Sequence, residues 1–235
     1  MPVRDVVALD GPSGTGKSTV ARALAIELGL RYLNTGAMYR AVAWAALAAA
    51  IDPTDADRVA KLVRQVQVEV TTDPHDQRVE VDGTPVEGEI RSAEVTVAVS
   101  PVSATPEVRR VLVAQQRELI GPGGIVVEGR DIGTVVAPDA ALKVYLTASH
   151  DTRAERRARQ DGAAPEHLGA TSEALRRRDA YDSGRTVDPL RPADDAVHID
   201  TTMLSVYDVV KRLVDIARGR GIVSAVAAVP DGEHR

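Results

Sequence analysis

Residues 3–19 read VRDVVALDGPSGTGKST, and this stretch decides the fold. Its first eight residues are mostly apolar and stop at Gly11, which is typical of a buried parallel strand. Apolar residues then recur at spacings of three and four over 17–28, which predicts a helix that ends at Gly29. A strand, a glycine-rich loop and a helix in this order form the first half of a β-α-β unit.

Residues 11–18 match the pattern G-x-x-x-x-G-K-[ST] in the required place between a strand and a helix. The glycines let successive N–H groups point at phosphate oxygens, and the helix presents its positive end to the same anion. Lys17 is expected to reach the β- and γ-phosphates, Ser18 to bind Mg²⁺ through its hydroxyl group, and Thr19 to add a hydrogen bond. The residues expected to bind the nucleoside triphosphate are Gly11, Pro12, Ser13, Gly14, Thr15, Gly16, Lys17, Ser18 and Thr19. This loop alone does not distinguish a kinase from a motor or a switch.

The rest of the chain alternates between helical and strand patterns. Helices are predicted over 36–51, 57–65, 94–103, 106–120, 151–160, 173–181 and 204–217, strands over 125–127, 142–146 and 196–199, and a loop over 162–171. Residues 66–89 differ, because valines alternate with polar residues and turn signals stand at Asp73-Pro74 and Asp82-Gly83. We therefore expect a small antiparallel sheet there.

The pattern as a whole predicts an α/β fold of the P-loop NTPase type. Its parallel sheet is flanked by helices and carries a small antiparallel β insert. A resemblance described below implies that this insert belongs to the acceptor-binding region and that the chain has a helical lid. The expected core comprises 1–65 and 105–235, and the insert comprises 66–104. The lid is expected over 150–172, within the core, and residues 219–235 are expected to form a loose tail.

Composition narrows the class of protein. The chain has 235 residues, of which 44% are hydrophobic and 27% charged, the balance of a soluble globular protein. The absence of cysteine excludes disulfides, cysteine-ligated metals and a thiol nucleophile. A net charge of −5 disfavours nucleic acid as the main partner. The most apolar long run, 41–51, is far shorter than the ~20 residues of a spanning helix. We expect a cytoplasmic protein without a membrane or nucleic-acid partner.

Several arginines stand beside loop signals, as a second anion site would require. Arg40 follows a glycine-containing turn, Arg130 follows a buried strand, and Arg178 and Arg185 flank a segment that ends in glycine. A kinase needs such a site for its acceptor, and arginine pairs bidentately with phosphate and keeps its charge. Any one of these arginines alone is more readily explained as a surface residue, so their joint placement carries the prediction.

A further arginine cluster lies on the helix predicted over 151–160. Arg153, Arg156 and Arg157 are spaced so that they share one face. One interpretation is a solvated face paired with Asp151 and Glu155. The other is a lid that closes over the triphosphate and excludes water, with Arg153 and Arg157 on the transferring phosphoryl group.

Four motifs together resemble the bacterial cytidylate kinases, which are nucleoside monophosphate kinases. They are GPSGTGKST at 11–19, LNTGAMYR at 33–40, EGRDIGTVV at 128–136 and RDAYDSGR at 178–185. They follow the family's order and cover residues 3 to about 217. The first motif is common to many NTPases, whereas the second and third together are far more specific.

The resemblance implies an acceptor site for CMP, with roles assigned by position. Arg40, Arg130 and Arg185 would hold the acceptor phosphate, Ser100, Arg109 and Asp131 the cytosine, and Asp182 and Arg178 the ribose hydroxyls, with Thr35 near the sugar. The catalytic residues implied are Lys17, Arg130, Arg153, Arg157 and Arg185. Base recognition agrees with the chemistry of a carboxylate at Asp131, which accepts a hydrogen bond from the cytosine N4 amine, whereas uracil offers only an acceptor.

The function implied is transfer of the γ-phosphoryl group of ATP to CMP or dCMP, assisted by Mg²⁺, in a monomeric enzyme. The acceptor phosphate is already an anion at pH 7, so no general base is required. One alternative is a P-loop kinase for another monophosphate or a small metabolite. A less favoured alternative is a GTP-binding switch, whose N-K-x-D guanine motif is not found in the chain.

Overall fold

The computed structural model describes residues 4–162 and 168–222. In chain order its elements are β1 (Arg4–Asp10), α1 (Lys17–Leu28), β2 (Arg31–Asn34), α2 (Thr35–Ala48), α3 (Ala56–Val63), β3 (Val68–Val70), β4 (Val79–Val81), β5 (Thr84–Pro85), a 3₁₀ turn (Glu89–Arg91), α4 (Ala93–Ala104), α5 (Pro106–Ile120), β6 (Gly123–Glu128), a π-helical turn (Ile132–Val136), β7 (Leu142–Thr147), α6 (His150–Asp161), α7 (Leu168–Gly184), β8 (Val197–Asp200) and α8 (Val206–Gly219). None of the described helices is both long and apolar enough to span a membrane.

The main sheet is parallel, with the strand order β2-β6-β1-β7-β8. Its central strand, β1, is buried on both faces. Val6 and Ala8 belong to one apolar cluster with α2, α4 and α5, while Val7 and Leu9 belong to another with α1 and α8. Burial on both faces explains the nearly continuous apolar run, and the predicted α/β class is confirmed. The carboxyl end of β1 lies between those of β6 and β7, at the edge of the sheet where α/β folds bind ligands.

The second sheet is antiparallel and has the order β3-β4-β5. Between β4 and β5, Asp82 and Gly83 both have positive φ angles of 49° and 75°, as the expected Asp-Gly hairpin requires. The predicted antiparallel sheet is thus confirmed. This sheet and α4 both pack against α2, so the insert supports the helix that begins at Thr35. The proposed domain boundaries remain predictions.

Strand β2 has no counterpart among the sequence predictions. It is a four-residue strand at the sheet edge in which only Tyr32 and Leu33 are buried. Its first residue, Arg31, donates hydrogen bonds to the carbonyls of Leu119, Ile120 and Gly123, each at 2.8 Å. A strand with two apolar residues is too short for a recognisable period, and distant backbone groups hold it in place.

Two other predicted segments differ or fall partly outside the structure. The loop predicted over 162–171 is too long at its end, because α7 already begins at Leu168, and 163–167 lie outside the described residues. The first turn of α7 lacks an apolar period that would have revealed it. Of the predicted tail, 223–235 lie outside the described residues, whereas Gly219 ends α8 and Ile222 is buried in the core.

Candidate active site

The phosphate loop that follows β1 contains two glycines at positions where a side chain would not fit. Gly11 has a φ of 147°, and a Cβ atom there would lie 2.2 Å from the carbonyl oxygen of Leu146. Gly14 has a φ of 79°, and its Cβ would meet the backbone of Arg153 at 2.9 Å. Only glycine suits such positions, so neighbouring strands and helices shape the loop from both sides.

Lys17, at the start of α1, lies across this loop. Its Nζ atom donates a 2.7 Å hydrogen bond to the carbonyl of Pro12, which also accepts one from the Thr15 hydroxyl at 3.1 Å. Lys17 is buried, and burial, followed by the charge of Arg130, lowers its pKa. The ammonium group is thus placed where an incoming anion would be electrostatically favoured.

The loop opens into a cavity of about 1150 Å³. Its walls come from the starts of α1, α2 and α8, from α4, α6 and α7, and from the segment after β6. The predicted loop residues from Ser13 to Thr19 line it, whereas Gly11 and Pro12 do not belong to its described lining. One continuous space therefore adjoins both the phosphate loop and the predicted acceptor residues.

Four predicted arginines, Arg40, Arg130, Arg178 and Arg185, line this cavity together. Arg40 donates to the Ile90 carbonyl and to the Thr96 hydroxyl, both at 3.0 Å. The buried Nε atoms of Arg178 and Arg185 have no hydrogen-bond partner among the described residues. The cluster is therefore only partly satisfied by the protein itself.

Repulsion between these arginines contributes to a lowering of their pKa values. Burial, followed by the charges of Arg178, Arg157 and Arg130, lowers the pKa of Arg40 to about 9. Burial, followed by Arg130, lowers the pKa of Arg178 to about 10. Both remain protonated at neutral pH. Half-buried cations that repel one another favour a bound anion, and phosphate has the geometry that guanidinium groups pair with best.

At the other end of the cavity, Arg109 forms a buried ion pair with Asp131. Its Nε atom also lies 2.7 Å from Asp188, and its guanidinium carbon lies 5.6 Å from the ring centroid of Tyr39. Burial raises the pKa of Asp131, while Arg109 and Arg185 oppose that rise. Arg109 and Asp131 both line the cavity, so a donor and an acceptor are available to one ligand edge.

The predicted serine on α4 is less directly placed. Ser103 lines the cavity, and Ser100 does not belong to the described lining residues. The Ser103 hydroxyl donates a 3.0 Å hydrogen bond to the Ser100 carbonyl, so the two lie one turn apart on the same helix. A role for Ser100 in base binding remains a prediction, and Ser103 is the serine of α4 that lines the cavity.

The arginines of α6 separate into different environments. Arg157 lines the cavity. Arg153 is buried, and its guanidinium donates to the carbonyl of Ser13 at 3.1 Å and pairs with Asp179. Arg156 binds the hydroxyl and the carbonyl of Thr201 at 2.9 and 2.7 Å. The structure thus ties two of these arginines to protein groups around the phosphate loop.

A family model described as Cytidylate kinase matches residues 7–219. The chain is 51% identical over 222 residues to a cytidylate kinase of Mycobacterium avium (strain 104), covering 93% of this chain and 97% of that one. A cytidylate kinase of Streptomyces griseus subsp. griseus is 48% identical over 221 residues, covering 93% and 95%. One of Mycolicibacterium paratuberculosis is 51% identical over 222 residues, covering 93% and 97%. The chain belongs to the cytidylate kinase family.

In this member of the cytidylate kinase family, two groups near the loop escaped the sequence predictions. Tyr32 donates a 2.6 Å hydrogen bond to the carboxylate of Glu128, and both side chains are buried. Burial and the charge of Glu128 raise the pKa of Tyr32, so it stays a donor. The sequence did contain a signal for Glu128, because this residue opens the motif at 128–136 and ends β6, the strand beside β1.

Thr35 and Asp182, which the resemblance places near the ribose, also line the cavity of this kinase-family chain. The Thr35 hydroxyl donates to the carbonyl of Glu128 at 2.7 Å. Asp182 accepts a 3.0 Å hydrogen bond from Nε of Arg130. The predicted sites for phosphate and ribose are therefore directly linked. The roles assigned to individual residues remain predictions.

Proposed function

We propose that this chain transfers the γ-phosphoryl group of ATP to CMP and dCMP, giving ADP and CDP or dCDP. Membership of the cytidylate kinase family over residues 7–219 supports this reaction. The structural observation that carries it is the arrangement of Arg40, Arg130, Arg178 and Arg185 in the cavity that also borders the phosphate loop. A second cationic site is what a kinase with an anionic acceptor needs and a hydrolytic switch does not.

The acceptor phosphate binds to Arg40, Arg130 and Arg185. It is mostly a dianion at neutral pH, because its second pKa is about 6, and its oxygen attacks without a protein base. Rate enhancement then comes from alignment of the two phosphates and from neutralisation of charge that develops in the transition state. Lys17 serves the triphosphate side of that alignment.

Cytosine is read at the far end of the cavity by Asp131, Arg109 and a serine of α4. Asp131 accepts a hydrogen bond from the N4 amine, and Arg109 both holds Asp131 and donates to ring acceptors. Uracil presents an oxygen in place of the amine, so the carboxylate loses its donor. Such a loss is worth about 1–3 kcal/mol, which predicts a preference for CMP over UMP rather than exclusion.

The ribose lies between these two ends. Asp182 accepts hydrogen bonds from the sugar hydroxyls, Arg178 binds beside it, and Thr35 approaches the sugar. Asp182 already contacts Arg130, so a ribose that binds there also affects the arginine that holds the phosphate.

Mg²⁺ fits the oxygen donors at the phosphate loop. The Ser18 hydroxyl lines the cavity at the first turn of α1, and the Glu128 carboxylate lines the same space. Hydroxyl and carboxylate oxygens are ligands that Mg²⁺ prefers, with phosphate and water oxygens completing the shell. When bound, the ion would neutralise charge on the β- and γ-phosphates. Ser18 and Glu128 would hold it, and Tyr32 would keep Glu128 in place.

The segment that includes α6 acts as a lid over the donor nucleotide. Arg157 faces the cavity and contacts the transferring phosphoryl group, while Arg153 holds the phosphate loop through Ser13. A closed lid excludes water, which would otherwise accept the phosphoryl group. We further propose that the enzyme acts as a monomer in the cytoplasm, with ATP and CMP or dCMP as its small-molecule partners.

An acceptor screen tests this function. ADP release is measured with ATP and each nucleoside monophosphate, in ribo and deoxy forms, with and without Mg²⁺. We expect the highest rates with CMP and dCMP, lower rates with UMP and very low rates with AMP. Equal rates for all acceptors would overturn the base assignment, and nucleotide hydrolysis without any acceptor dependence would favour a switch protein.

A further inference from the structure

The last residue of β1, Asp10, is a buried carboxylate directly before the phosphate loop. Asp10 is 4% exposed, and none of the ion pairs found among the described residues includes its carboxylate. Burial raises its pKa to about 6, even though two backbone N–H groups and Lys17 favour the charged form. A carboxylate placed here costs stability, which calls for an explanation in terms of what it holds.

What Asp10 holds is the turn that follows β6. Its Oδ1 atom accepts the N–H of Ile132 at 2.9 Å, and its Oδ2 atom accepts the N–H of Gly133 at 2.8 Å. These are the first N–H groups of the π-helical turn Ile132–Val136, which have no partner inside that turn. Both carboxylate oxygens are thus used, so the position of the turn is fixed in two directions.

A second anchor lies just before the same turn. The N–H of Gly129 donates to the carbonyl of Leu9 at 3.0 Å. Between the two anchors stand only Arg130 and Asp131. The two residues predicted to grip opposite ends of the acceptor are therefore held on both sides by consecutive residues of β1.

The packing around these anchors leaves little room for adjustment. A Cβ atom on Gly129 would lie 2.6 Å from Ile132 and 2.7 Å from the Thr35 hydroxyl. One on Gly133 would lie 3.2 Å from Lys143 and 3.5 Å from Asp10. A side chain at Gly129 would thus displace Ile132 or Thr35, and one at Gly133 would press on Lys143, so glycine at both positions keeps the turn in its place.

We propose that Asp10 is a positioning residue that fixes Arg130 and Asp131 relative to the phosphate loop. It rests on the proposed function, because it concerns how the acceptor site of that reaction is aligned with the donor site. Asp10 does not belong to the described lining of the cavity, so the proposed role is indirect. Asp10 can align the two sites because the end of β1 both leads into the phosphate loop and holds the turn Ile132–Val136 through hydrogen bonds.

The test is Asp10→Asn, which keeps the shape but places an amide N–H₂ group against one of the two backbone N–H donors. Apparent KM values for CMP and for ATP and the CMP:UMP preference are measured, together with CMP binding by calorimetry. We expect KM for CMP to rise about 10–100-fold and the preference for CMP to fall, with KM for ATP little changed. A purely structural role would instead lower the fraction of active enzyme, or weaken the binding of CMP and of ATP to a similar extent.

Asp52→Asn is the matched control, because Asp52 also accepts a backbone N–H, from Thr54 at 2.8 Å, but is exposed and does not belong to the described lining of the cavity. If Asp10→Asn is too unstable to purify, Asp10→Ser carries the same comparison, since one hydroxyl cannot reach both N–H groups. Unchanged CMP kinetics, or equal losses for CMP and ATP, would overturn the inference. Wild-type turnover of CMP is measured first, so failure of the proposed function would be seen there and failure of the inference only in the variants.

Discussion

The Nε atom of Arg130 lies 3.0 Å from Oδ2 of Asp182, and this ion pair joins the turn after β6 to helix α7 across the cavity. The two side chains are assigned to different parts of the acceptor, the phosphate and the ribose. Under the proposed roles, their contact would couple phosphate binding to sugar binding through one pair of charges.

Replacement of Asp182 by alanine tests the ribose end of this pair. We expect kcat/KM for CMP to fall by about tenfold or more, because hydroxyl donors of the sugar lose a charged acceptor. The loss should be smaller for dCMP, so the ratio between the two acceptors should approach one. Steady-state kinetics with both acceptors provide the measurement, with Asp194→Ala as an exposed acidic control. An equal loss for both would show that the 2′-hydroxyl group is not read by Asp182.

Replacement of Asp131 by asparagine tests base recognition. The amide retains one acceptor but no charge, so kcat/KM for CMP should fall about 10–100-fold while that for UMP changes much less. Asp188→Asn is the matched control, because Asp188 also pairs with Arg109 but does not belong to the described cavity lining. A parallel loss with both pyrimidines would contradict the assignment of Asp131 to cytosine.

Lys17→Met tests charge neutralisation on the donor side. Removal of this buried ammonium, which we propose faces the triphosphate, should lower kcat by about 10²–10³-fold. CMP affinity, measured by calorimetry without ATP, should remain close to wild type, since the acceptor arginines are unchanged. Lys61→Met, at an exposed position of α3, should retain full activity. A loss that appears mainly in CMP binding would argue against a donor-side role.

The two arginines of α6 should respond differently to replacement by methionine. Arg157→Met should lower kcat about 10²-fold with a modest effect on KM for ATP, because the side chain faces the cavity. Arg153→Met should instead raise KM for ATP and lower the free energy of unfolding by about 2 kcal/mol, because it leaves Asp179 and the Ser13 carbonyl without a donor. Thermal melts and steady-state kinetics distinguish the two outcomes, and identical kinetic defects would refute the distinction.

The acidity of Asp10 predicts a pH dependence of stability. Its pKa rises from 3.8 to about 6 on folding, so the folded chain binds the proton more tightly than the unfolded chain. The contribution of Asp10 to stability is therefore greatest below pH 4, is lost as pH rises to about 6, and is constant above that. The change amounts to about 3 kcal/mol. Urea unfolding of wild type and Asp10→Asn from pH 4 to pH 7 measures it, and a constant difference between them would contradict it.

The sequence revealed those parts of the molecule that local patterns specify. The loop over 11–18 and the Asp82-Gly83 hairpin depend on backbone conformations that only certain residue types adopt, and both are found as expected. The resemblance to cytidylate kinases was carried by motifs that include Arg40, Arg130 and Arg185, and family membership is confirmed. These arginines do meet in one cavity.

Other features depend on partners far apart in the chain, and local patterns contain no sign of them. Asp10 and Ile132 are 122 residues apart, and Tyr32 and Glu128 are 96 apart. Strand β2, which carries Tyr32, is defined by its pairing with β6, so its own four residues do not predict it. For the same reason, helical spacing placed Arg153 and Arg157 together, whereas packing of α6 on the phosphate loop gives them different surroundings.

The crowding of Arg40, Arg130, Arg178 and Arg185 has a consequence for the empty enzyme. Confining like charges raises the free energy of the native state, and any dianion that settles among them relieves it. A bound substrate should therefore also stabilise the folded enzyme against heat, and this stabilisation should increase with the fraction of enzyme that has substrate bound. The melting temperature should therefore rise with added CMP, and inorganic phosphate alone should give a weaker form of the same protection.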